Sequence, residues 1–64
     1  SSRNDFRHFL TIAYGSGSEL ETQVEIVKRL PFGNDLDFDE IDSLLLQVMK
    51  MLNRMIANLA TPTS

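Results

Sequence analysis

The chain has no cysteine among its 64 residues. Disulfides, thiolate zinc sites and cysteine nucleophiles are therefore excluded, and so is the commonest supplement to the marginal core of so small a domain. The lack of cysteine also accords with a reducing compartment. Histidine occurs once, as His8, and neither an H-E-x-x-H nor an E-x-x-H motif accompanies it. His8 reads as a solvated residue near a helix start. No apolar run approaches the roughly 18 to 20 residues of a membrane span; none is longer than three residues, Leu44-Leu45-Leu46 among them. Nothing resembles a signal peptide, so a soluble, cytoplasmic chain is expected. It begins with Ser rather than Met, as a processed chain or a piece of a longer one does.

Positive charge is also scarce. The formal net charge of −3 argues against non-specific nucleic-acid binding by the chain as a whole, because neutralising phosphates needs clustered Lys and Arg. The charge is unevenly spread. Residues 31 to 43 carry Asp35, Asp37, Asp39, Glu40 and Asp42 with no cation, whereas Arg3, Arg7, Lys50 and Arg54 lie toward the two ends.

What the chain does have is helical periodicity. Phe6, Leu10, Ala13, Gly17, Leu20, Val24 and Val27 recur in a strict four-three alternation, the spacing that places side chains on one stripe of a helix. Ser2 and Asp5 form a capping-box start. Pro31 stops the helix, since the residue before proline is pushed out of the helical region. Gly33-Asn34 is turn chemistry. Asp37 and Glu40, a D-x-x-E box, open a second helix along which Ile41, Leu45, Val48, Leu52, Met55 and Leu59 repeat the alternation. The expected architecture is all-α: one antiparallel two-helix hairpin over residues 1–64, with a helix over 3–30, a turn over 31–37, a helix over 38–60 and a frayed tail over 61–64.

Both apolar stripes are wider than a two-helix seam requires. Phe9, Ile12, Ile26 and Leu30 flank the first, and Leu44, Met49, Met51 and Ile56 flank the second. A stripe of that width belongs to a helix with two or more neighbours, and an isolated hairpin would expose more apolar surface than a monomer tolerates. The hairpin is therefore expected to be half of a four-helix bundle, completed by self-association or by further helices. The thirteen residues of the two alternations are its expected core and oligomer interface.

Gly15-Ser16-Gly17-Ser18 interrupts the side chains but not the register. Each interior helical glycine costs about 1 kcal/mol relative to Ala, and the offsetting gain is expected from a close helix crossing at Gly15, Ser16 and Gly17 or from a local kink. A phosphate cradle would need a preceding strand and a following helix N-terminus, and neither is present.

The search for chemistry finds little. Asp35, Asp37 and Asp39 have the odd-numbered spacing of a calcium loop, but Glu40 stands where the loop needs glycine and Leu46 where it needs a bidentate Glu. They read as capping residues. Glu21 and Glu25 lie one turn apart on a polar face, with Glu25 also in reach of Arg29. Met49, Met51 and Met55 read as gap-filling core. No enzyme activity, metal, cofactor, membrane or small-molecule substrate is expected.

The run from Phe6 to Ser16, followed by Glu19-Leu20-Glu21-Thr22-Gln23, resembles the third helix of a bacterial four-helix bundle family, the 23S ribosomal RNA intervening-sequence proteins; Lys50-Met51-Leu52-Asn53-Arg54-Met55-Ile56 is similar to their fourth. The resemblance covers about residues 2 to 59 and implies the C-terminal half of that bundle, without its first two helices. Gly17, Ser18 and a longer turn over Pro31 to Leu36 depart from the family pattern. The family's biochemical role is not established, so no catalytic residue carries over. Its members are similar to the pentameric accessory protein of diversity-generating retroelements, which implies a pentamer for the complete bundle. Two functions follow as expectations: a non-enzymatic, self-associating scaffold or interaction module, or an RNA- or nucleic-acid-associated accessory protein using Arg3, Arg7, Lys50 and Arg54 at the basic end.

Overall fold

The computed structural model describes residues 2 to 60, the side chain of Asn34 excepted, and the expected frayed tail at 61–64 lies outside them. Helix α1 runs over Arg3–Lys28 and helix α2 over Asp39–Ala60, joined through a short 3-10 turn over Pro31–Asp35. The two helices pack against each other as an antiparallel hairpin with overall dimensions of 53 × 16 × 14 Å.

Helix α1 starts with the capping box the sequence encodes. Ser2 Oγ accepts from the Asp5 amide at 3.1 Å, and Asp5 Oδ2 accepts from the Ser2 amide at 3.3 Å. Two early donors are thereby satisfied and an acid sits where the helix dipole favours it. The helix passes through Gly15 to Ser18 without interruption, so the glycines are interior helix, as the continuous register requires.

Its C-terminus falls at Lys28, two residues before the expected Leu30. Pro31 acts at a distance of one residue: it holds Leu30 extended, at φ −75° and ψ 154°, and Arg29 becomes the cap, its amide donating to the Ile26 and Val27 carbonyls. Helix α2 begins at Asp39, one residue beyond the expected boundary, with the Asp37 carboxylate accepting from the Asp39 amide at 2.9 Å. Asp39, Glu40 and Asp42 fill its first turn, where negative charge opposes the unpaired amides.

Each end of the hairpin carries a polar clasp. At the turn end, Lys28 Nζ lies 2.6 Å from Asp42 Oδ2 and 3.0 Å from Glu25 Oε1, and 5.8 Å from the Phe38 ring centroid. Glu25 thus pairs with Lys28 at i+3, rather than with Arg29 at i+4, because Lys28 is already drawn toward Asp42 across the helix seam. At the open end, Arg3 donates from Nε to the Leu59 carbonyl at 3.0 Å and from Nη2 to the Asn58 carbonyl at 2.9 Å. A cation on the last carbonyls of α2 complements that helix's dipole.

The three glycines meet different surroundings. A Cβ built on Gly15 would find no heavy atom within 4 Å; one on Gly33 would fall on the Val27 carbonyl oxygen and lie 2.8 Å from that of Lys28. Gly15→Ala is therefore expected to stabilise the fold by about 1 kcal/mol through helix propensity, and Gly33→Ala to destabilise it by roughly 1–3 kcal/mol through steric displacement of the turn. Chemical denaturation at fixed protein concentration reads both, and a stabilising Gly33→Ala would contradict the turn geometry. The clasp has a pH signature. Hydrogen bonding to Asp42 first, and to Glu25 second, raises the Lys28 amine above its ordinary 10.5, so its contribution is complete below that pH and is lost as pH rises through the raised value. The stability difference between the wild type and Lys28→Gln should hold from neutral pH to 10.5 and vanish above; a difference that persists far into the alkaline range would show that charge is not its source.

Candidate interaction face

Four-three alternation on a helix is the sum of two lines, each repeating every seven residues. In α1 these are Leu10, Gly17, Val24 and Phe6, Ala13, Leu20, Val27; in α2 they are Leu45, Leu52, Leu59 and Ile41, Val48, Met55. The hairpin treats them differently. Leu10 and Val24 are buried and Gly17 is half-buried, while Leu45, Leu52 and Leu59 are all half-buried. Those two lines form the seam between the helices. Of the remaining two lines, Phe6, Ala13, Leu20, Ile41 and Val48 stay exposed, and only Val27 and Met55 are partly covered.

Among the described residues the most buried apolar side chain is Met49, at 7% exposure, a residue whose sequence position lies beside the alternation rather than on it. Its sulfur occupies the space over Gly17, where an added Cβ would collide with Met49 Sδ. The close approach expected around the waist is thus made at Gly17 by a methionine, not by a second backbone. Gly15 and Ser16 face elsewhere, because each residue turns the helix by about 100° and two steps back from Gly17 points away from α2. The clue to Met49 was the empty seam position itself: a missing side chain on one helix calls for a long, adaptable one opposite.

On one flank of the seam the apolar lines continue outward. A groove of about 380 Å³ opens between the helices there, lined by Gly17, Leu20, Val24, Ile41, Leu44, Leu45 and Val48, without a polar side chain among them. Leu44 is 52% and Val48 45% exposed. The other flank is polar. Glu21, Glu25 and Asp42 line one concavity with Leu45 and Leu46, and Tyr14, Glu21, Lys50 and Asn53 line a second with Leu46 and Met49. The hairpin therefore has one dry face and one wet face.

The four expected nucleic-acid contacts are placed less uniformly. Arg7, Lys50 and Arg54 are exposed, whereas the Arg3 guanidinium is donated to the carbonyls of Asn58 and Leu59. Lys50 shares its concavity with Glu21, which tempers the local field. Among the described residues no group of three or more His, Cys, Asp or Glu side chains is arranged to hold a metal ion, and no helix is long and apolar enough to cross a membrane.

No curated protein and no solved structure matches the chain. A family model does, over residues 1–54, a span that takes in all of α1, the turn and two-thirds or more of α2, and by that match the chain belongs to the family of 23S rRNA-intervening sequence proteins.

Proposed function

We propose that the chain is a non-enzymatic scaffold whose working surface is the dry face of the hairpin, and that it acts by self-association. The observation that carries this reading is the continuous apolar strip from Leu20 to Val48, left open by a fold that has satisfied its other flank with charge. Water-exposed apolar area is unfavourable by roughly 25 cal/mol per Å², so covering the strip favours association. A single hairpin of this size buries too little to be robust alone.

A second reading concerns RNA. The family's name contains 23S rRNA, and Arg7, Lys50 and Arg54 leave an exposed cationic half opposite the acidic turn. The patch is small for one chain, and copies in an assembly would multiply it.

Sedimentation equilibrium and circular dichroism over a dilution series test the first reading: a mass at least twice the 7.3 kDa monomer is expected, with helicity falling as the assembly dissociates. A stable, fully helical monomer at every concentration would contradict it. The RNA reading predicts binding to a structured RNA at low salt, weakened several-fold by Arg7→Glu with Lys50→Glu, and absence of binding at low salt would remove it.

A further inference from the structure

The two concavities of the wet flank use their polar groups in opposite ways. In the first, the charges pair with one another: Glu25 and Asp42 both bind Lys28. The second, of about 240 Å³, lies between Tyr14, Glu21, Leu46, Met49, Lys50 and Asn53. There the side chains of Tyr14, Glu21, Lys50 and Asn53 make no hydrogen bond or ion pair with any described residue. Glu21 and Lys50 share the space without pairing across it.

The hollow follows from the waist of α1. Tyr14 and Glu21 stand about 10.5 Å apart along the helix axis at 1.5 Å per residue, and the residue between them on that side is Ser18, too small to fill the gap. Leu46 and Met49, neighbours one turn apart on α2, make an apolar floor, with Met49 held there by its seat over Gly17. An apolar floor, an aromatic wall and polar groups on the rim suit a flat heterocycle, whose faces are apolar and whose edges form hydrogen bonds. The volume is below the roughly 300–1,000 Å³ of sites for drug-sized ligands, in keeping with one ring system.

The rim chemistry narrows the choice. A carboxylate only accepts hydrogen bonds, and among the RNA bases guanine alone presents two adjacent donors, N1–H and N2–H, on its Watson–Crick edge. Adenine, cytosine and uracil would each set a ring nitrogen or carbonyl acceptor against one carboxylate oxygen. Asn53 carries an amide that can donate to guanine O6, and Lys50 is a cation for a phosphate. We propose that this concavity is a guanine nucleotide site, with the base stacked on Tyr14, Glu21 on its Watson–Crick edge and Lys50 on its phosphate. The site lies on the flank away from the dry face, so it does not depend on what covers that face. Two sources carry the same chemistry, a free guanine nucleotide and an unpaired guanine in single-stranded RNA. With the second source the inference rests on the RNA reading, and Arg7, exposed and seven residues before Tyr14 on the same line of α1, meets a neighbouring phosphate.

Tyr14 is the only tyrosine and there is no tryptophan, so its ring signals in nuclear magnetic resonance report stacking without overlap. Titration with guanosine monophosphate, or with a short guanine-containing single-stranded RNA, should move those signals upfield, with affinity about tenfold or more above that for the adenine counterpart. Glu21→Gln should abolish the preference, because its amide sets a donor against one of guanine's donors. Tyr14→Leu should weaken binding about tenfold or more, and Tyr14→Phe should retain it. Lys50→Gln should weaken the monophosphate and leave guanosine unchanged. All three positions are exposed, and circular dichroism checks that each variant keeps the fold. Weakening of the RNA by Arg7→Gln, with binding of the monophosphate unchanged or absent, assigns the site to an RNA strand; monophosphate binding without RNA binding assigns it to the free nucleotide. Equal affinity for guanine and adenine ligands, a guanine preference that survives Glu21→Gln, or no shift of Tyr14 with any of these ligands overturns the site. Binding of a structured RNA that is indifferent to both Glu21→Gln and Tyr14→Leu also overturns it, while the RNA reading stands.

Discussion

The seating of Met49 over Gly17 is the contact on which the hairpin turns. It lets the two axes approach at the middle of both helices and sets their rotation about those axes. Once that rotation is set, Leu10 and Val24 face α2, and Phe6, Ala13 and Leu20 do not. The energetics favour the arrangement. Gly17 forfeits about 1 kcal/mol of helix propensity, and burial of a methionine side chain returns roughly 1.5–3 kcal/mol.

The division of the apolar residues follows from this contact. Each stripe is split lengthwise: one line goes to the fellow helix and the other to the dry face. The polar clasps keep that division in place at both ends, Lys28 with Asp42 and Glu25 at the turn and Arg3 on the last carbonyls of α2 at the opening. Arg3 is accordingly better understood as a helix-capping cation than as a member of a basic patch, whereas Arg7, Lys50 and Arg54 remain exposed. Function, on this account, resides in a surface.

Much of this was legible in the sequence. Capping at Ser2 and Asp5, the stop imposed by Pro31 and the acid-rich first turn of α2 are local chemistry, and local chemistry is written in adjacent residues. The family resemblance at Phe6 to Ser16 also proved sound. The rotation of each helix was not legible. Periodicity gives the width of an apolar stripe, but which half of it faces a neighbour depends on tertiary packing; Met49 stands beside the alternation and reads only as gap-filling core until its counterpart Gly17 is set against it. The pairing of Glu25 with Lys28 escaped for the same reason: Asp42 lies fourteen residues away in sequence and beside Lys28 in space.

The central claim is that one apolar line closes the hairpin and the other closes the assembly. Methyl accessibility to a soluble paramagnetic probe, measured by nuclear magnetic resonance in concentrated solution, examines it directly by comparing Val24 with Val48. The account predicts that both are protected, Val24 by α2 and Val48 by a partner. A Val48 methyl as accessible as its 45% exposure in the single chain implies, beside a protected Val24, would contradict it.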